Sequence, residues 1–95
     1  MAGMYSAPPK AIQTMREEVE RKVKLATRNL NFLRNKTNIS VETLANNANI
    51  DYTRLTFIFD LGDGMFLDEF LRLVQTLNEM CGLNFSIIDY ITIEF

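Results

Sequence analysis

The stretch SVETLANNANIDYTRLTFIFDLG, residues 40–62, decides how the chain is read. Ser40 places a side-chain oxygen where it can cap a helix, and Val41, Leu44, Ala45 and Ala48 follow as apolar positions at helical spacing. Asn49 stands where that helix must end, because asparagine tolerates the left-handed conformation that closes one. Ile50 then acts as an apolar plug. Asp51 is a second cap, opening a helix that carries Leu55 and Ile58 on one face. Ala45 is small enough to let the second helix cross the first closely. The segment therefore predicts two short helices joined by a tight turn.

That layout is a helix-turn-helix, and its residues resemble the phage-repressor type, the lambda-repressor and Cro-like domains. Ser40, Val41, Glu42, Leu44 and Ala45 stand in the row that opens the first motif helix of that family. Ile50, Leu55 and Ile58 fill the apolar slots of the second. Downstream, LDEFLRLVQTL (residues 67–77) is similar to the helix that follows, and upstream Leu30, Leu33 and Arg34 match the end of the family's first helix. The likeness spans roughly residues 26–83, with the tract around Gly62 one residue longer than the common pattern.

The resemblance implies a small dimeric regulator that occupies double-stranded operator DNA, with half-sites about 34 Å apart. By position, Tyr52, Thr53 and Phe57 would meet base edges, and Arg54 a base or a phosphate. Asn46, Asn47, Lys36 and Thr37 would hold the sugar-phosphate rail. Three residues depart from the pattern. Val41 replaces a phosphate-binding glutamine, Phe57 fills a slot that is usually polar, and Asp60 adds negative charge near the reading helix. Tyr52, Phe57 and Val41 could instead form an apolar patch that grips a protein. The alternative is thus a protein-binding derivative of the same fold: an antirepressor, an inhibitor of a host factor, or an assembly subunit.

Charge is distributed unevenly along the chain. Up to Arg54 there are nine Lys and Arg against five Asp and Glu; from Leu55 onward there is one basic residue, Arg72, against seven acids. Such asymmetry could orient a molecule on DNA with its acidic side outward. With 95 residues and 47% apolar content the chain can form one core, and general disorder is excluded. A single cysteine, Cys81, forbids an internal disulfide. Together with an opening that lacks a basic-then-apolar leader pattern, this predicts a reduced, cytoplasmic setting without membrane insertion.

The expected organisation is mainly α: a four- to five-helix lambda-repressor-like domain over residues 10–83, after a flexible tail at 1–9. Pro8 and Pro9 suit a helix start. Ile12, Met15, Val19, Val23, Ala26, Leu30 and Leu33 then draw one apolar stripe along an extended first helix. Gly62, Asp63 and Gly64 mark a turn, a further helix runs from about Phe66 to Met80, and Gly82 stops it. Residues 84–95 alternate and are rich in β-branched and aromatic side chains, which predicts a C-terminal β-strand. A lone strand needs a partner, so the economical expectation is a homodimer through Ile87, Tyr90, Ile91, Ile93 and Phe95, with Met15 and Val19 of the first helix contributing. The alternative is a terminal segment lying over its own helices.

Enzyme chemistry is not expected. Histidine is absent, there is no cysteine pair for zinc, and no glycine-rich phosphate loop occurs. Asp60, Asp63 and Asp68 lack the order and terminal glutamate of a calcium loop and read as a solvated turn. Cys81 falls at a helix end, where no dipole would activate it. No cofactor or metal is implied.

Overall fold

The computed structural model describes residues 9–95, with five helices: α1 (Pro9–Lys36), α2 (Val41–Ala48), α3 (Tyr52–Leu61), α4 (Leu67–Cys81) and α5 (Ile87–Thr92). The tail expected at 1–9 lies outside the described residues except for Pro9, which begins α1. The chain is mainly helical. α1 lies against α3, α4 and α5, while α2 is held between α3 and α4. The core between them is built from Ala26, Leu30 and Leu33 of α1, Leu44 and Ala45 of α2, Leu55 and Ile58 of α3, and Leu73 and Leu77 of α4. Ala45 is fully buried at the crossing of α2 with α3, as a small residue at a close approach must be.

The helix ends follow from the side chains that cap them. Ser40 Oγ accepts from Thr43 N–H at 3.0 Å, and Asp51 Oδ2 accepts from Arg54 N–H at 3.1 Å. Asn49 takes the left-handed conformation (φ 56°), which lets Ile50 N–H donate back to the Ala45 carbonyl at 2.9 Å. Gly62 closes α3 in the same way at φ 72°.

The C-terminal segment corrects the sequence expectation. Residues 87–92 form a helix, and no strand occurs among the described residues. Two local features decide it. Ser86 Oγ accepts from Asp89 N–H and Asp89 Oδ2 accepts from Ser86 N–H (3.2 and 2.8 Å), a reciprocal capping box that satisfies donors a lone strand would leave open. Ile87, Tyr90 and Ile91 then recur at steps of three and one, and this helical face turns onto the core. The alternation that suggested a strand is shared by both periods over so short a run.

Buried Asn29 locks this segment in place. Its Nδ2 donates to the carbonyls of Tyr90 (2.9 Å) and Ile93 (2.6 Å), and its Oδ1 accepts from Phe95 N–H (3.3 Å). One amide thus satisfies three backbone groups more than 60 residues away in sequence. Tyr90 is fully buried beside it, edge-on to Phe70 and Phe85, with its hydroxyl donating to Asn78 Oδ1 at 3.1 Å. Residues 84–95 therefore belong to the same core as 26–83 and are not an appended element.

Replacing Asn29 with alanine strands those backbone groups and is expected to cost about 2–3 kcal/mol in urea unfolding. Hydrogen exchange should rise first in α5. Burial, aided by the nearby Cys81 and Asp89, pushes the Tyr90 phenol up to about 12. Because the folded value lies above the unfolded one, the stability linked to Tyr90 is complete below the ordinary tyrosine range and is lost as pH rises through it toward about 12. Alkaline unfolding should therefore weaken in Tyr90→Phe, as followed by circular dichroism against pH.

Candidate docking face on the second and third helices

The caps at Ser40, Asn49 and Asp51 fix how α3 leaves the turn, and so fix which of its side chains face outward. Leu55 and Ile58 point into the core, whereas Tyr52 and Phe57 are 51% and 54% exposed. Thr53 is exposed between them, and Leu61 stands one turn beyond Phe57 on the same side. Phe66, in the loop before α4, is exposed as well. Asn46 and Asn47 are exposed on α2, with Asn47 Nδ2 donating to the Thr43 carbonyl at 2.8 Å. Lys36 is exposed at the end of α1. Thr37 is turned back, its hydroxyl donating to the Leu33 carbonyl at 2.7 Å.

Arg54 occupies a different environment from its neighbours. Its Nε and Nη2 meet the two carboxylate oxygens of Glu69, each at 2.8 Å, and Nη2 also donates to the Gly64 carbonyl at 2.8 Å. The guanidinium carbon lies 4.7 Å from the centre of the Phe66 ring. Glu69 is buried and completes the clamp by accepting from Phe66 N–H at 2.9 Å. The hydrogen-bonded carboxylate raises Arg54 above its ordinary range, and the Arg54 guanidinium holds Glu69 below the usual carboxylate range. The Nε–Nη2 edge that would read a guanine is committed to a carboxylate.

Arg72 is likewise occupied. It pairs with Asp68 and donates from Nη1 to the Asn49 carbonyl at 2.8 Å, bracing the turn between α2 and α3. These are the two basic residues beyond Lys36, so the acids on this side carry the net charge. Glu42, Asp51 and Asp60 are all exposed. Other cations gather on α1: Lys24, Arg28 and Arg34 line a recess of about 540 Å³ with Asn31, Phe32 and Phe59, against the far end of α3. Phe59 lies partly buried under the Arg34 guanidinium, 5.8 Å from ring centre to carbon. Val41 is half-buried against the core, so it does not extend the Tyr52 and Phe57 surface freely.

The residues expected at a dimer interface separate into two groups. Tyr90 has no exposed surface, and Phe95 is spent on Phe85 and Tyr90 in the aromatic cluster. Ile87 and Ile91 are half-buried, Ile93 is exposed, and Met15 and Val19 stand open on α1. Sequence reasoning missed the roles of Glu69 and Arg72. Their local signals were present: Glu69 three residues after Phe66 is a capping-box position, and Asp68 and Arg72 are spaced for an ion pair.

Among the described residues no group of three or more acidic or cysteine side chains is placed to hold a metal ion. No helix described is long and apolar enough to cross a membrane. No family model matches the chain, and no curated protein or solved structure does.

Glu69→Gln keeps the shape of the clamp and removes its charge. It is expected to cost about 1–3 kcal/mol by chemical denaturation at neutral pH. Because Glu69 titrates lower in the folded than in the unfolded state, its contribution is present above the unfolded carboxylate range and lost as pH falls. The gap between wild type and Glu69→Gln should accordingly close in acid.

Proposed function

We propose that the protein is a regulator of the helix-turn-helix class in which the outward face of α3 docks on a protein surface. The observation that carries this reading is the pairing of exposed aromatics, Tyr52 and Phe57, with the commitment of Arg54 and Arg72 to ion pairs. Affinity for DNA comes largely from cations that displace counterions from phosphates. Here the groups beside Tyr52 and Phe57 are Asp51, Asp60 and a neutralised arginine. Exposed aromatic side chains, in contrast, are the commonest anchors of protein interfaces. The partner that fits is an apolar pocket with a basic rim, able to take Phe57 and Leu61 and to face Asp51 and Asp60. An inhibitor or antirepressor would act this way, occupying a surface that its target needs.

A second reading, a phage-repressor-type regulator that occupies operator DNA as a dimer, draws support from the caps at Ser40, Asn49 and Asp51 and from exposed Thr53, Asn46, Asn47 and Lys36. In that reading Thr53 contacts bases and Lys36 a phosphate, with Arg54 acting only through Glu69.

Fluorescence anisotropy separates the two. Labelled duplexes from the upstream region and of random sequence are titrated at about 50 and 200 mM salt, a range over which phosphate-driven binding falls steeply. The protein-docking reading predicts no salt-sensitive affinity for either duplex. Tight binding at the lower salt that collapses at the higher, and that Thr53→Ala and Lys36→Ala weaken, would overturn it in favour of the operator reading.

A further inference from the structure

The N-terminal part of α1 stands clear of the body. Residues 11–22 are exposed throughout, and the molecule measures 55 × 26 × 18 Å along its principal axes because of this projection. Three of these side chains, Ile12, Met15 and Val19, are apolar and 49%, 66% and 61% exposed. They continue the stripe that Val23, Ala26, Leu30 and Leu33 bury against the rest of the chain. A helical projection that presents Ile12, Met15 and Val19 to water is a marginal arrangement.

Where the stripe meets the body it runs into an apolar groove of about 340 Å³. Val23, Ala26, Phe70, Leu67 and Ile91 line it, Ala26 and Phe70 buried and Leu67 exposed, and Val19 belongs to both groove and projection. The lengths match: Ile12 to Val19 is seven residues, and Val19 to Ala26 is seven more. We infer that a second copy of this chain fills the groove, with the two α1 helices antiparallel about a two-fold axis at Val19. Each projection then lies over the partner's groove, with Met15 level with the partner's Val23 and Ile12 level with the partner's buried Ala26. Such an interface is isologous and closes at two copies.

The charges beside the stripe agree with this register. At 3.6 residues per turn, Arg16 and Glu20 lie on one flank of Val19, and Glu18 and Lys22 on the other. The ion pairs among the described residues are Arg54–Glu69 and Arg72–Asp68, so these four charges are left for a partner. A two-fold at Val19 sets each flank against the same flank of the partner. Arg16 comes within about two residues' rise of the partner's Glu20, and Glu18 as close to the partner's Lys22. With their symmetry mates these attractive pairs outnumber the like-charge contacts at the same rise, Glu20 with the partner's Glu20 and Glu18 with the partner's Glu18. A parallel pair would leave both grooves empty and drive the two bodies together, so the groove selects the antiparallel form. This surface is separate from the Tyr52 and Phe57 face, and the inference does not rest on the docking reading.

Sedimentation equilibrium on the full chain tests it, with helicity followed by circular dichroism. Wild type is expected to be a dimer and Val19→Glu a monomer that loses helicity only in the projecting turns of α1, because Val19 is exposed in the single chain and the body does not depend on it. Arg16→Glu should weaken the dimer roughly tenfold, the worth of two symmetric exposed pairs. Adding Glu20→Arg should restore it, because the swapped charges still oppose each other across the antiparallel seam. A parallel seam would set position 16 against the other flank, where the partner's Glu18 is untouched by Glu20→Arg. A double variant that stays weak therefore contradicts the antiparallel register. A monomeric wild type overturns the proposal, as does a dimer that survives Val19→Glu. Loss of the dimer in Phe57→Ala with Val19→Glu still dimeric would place the second copy on α3 and overturn it as well.

Discussion

The bidentate contact between Arg54 and Glu69 ties together the elements that carry the candidate docking face. It joins the first turn of α3 to the first turn of α4 across 15 residues of sequence. The same carboxylate holds Phe66 N–H, and the same guanidinium holds the Gly64 carbonyl, so the loop between the helices is fastened at both ends. A charged pair that is mostly shielded from water must satisfy its remaining hydrogen-bonding groups or become a liability. Here the loop backbone supplies those partners. In consequence the one cation on α3 is held away from the exposed face while Phe57 and Tyr52 remain on it.

A second polar anchor, Asn29, does the equivalent work at the other end. Its amide substitutes for the hydrogen-bond ladder that a β-strand would need, and allows a six-residue helix to persist against α1. The aromatic cluster of Phe70, Phe85, Tyr90 and Phe95 closes over it. Both anchors are polar side chains set in an otherwise apolar interior. Each is matched closely by backbone partners, the condition under which such groups stabilise a unique arrangement.

Much of the architecture was legible from local signals. Ser40, Asn49 and Asp51 sit at the helix ends their chemistry suggests, Gly82 takes the left-handed conformation that stops α4, and the α1 stripe runs where its spacing placed it. The C-terminal segment was not legible as a helix, because over a dozen residues alternation and helical spacing select overlapping apolar positions. The capping box at Ser86 and Asp89 was the local cue that separated them. The two anchors were beyond reach for a different reason. Nothing near Arg54 announces an acceptor 15 residues later, and nothing near Asn29 announces carbonyls at Tyr90 and Ile93. The candidate site was therefore readable as a set of positions, while the chemistry left free at those positions depended on long-range partners.

The central claim is that Arg54 belongs to Glu69 and not to the exposed face of α3. Heteronuclear NMR of the arginine side chains tests this directly, by following the Nε–H of Arg54 alone and with duplex DNA added. The account predicts a resolved, slowly exchanging Nε–H signal that DNA leaves unmoved. A signal that exchanges as fast as the solvent-exposed arginines, or that shifts as DNA is added, would contradict it.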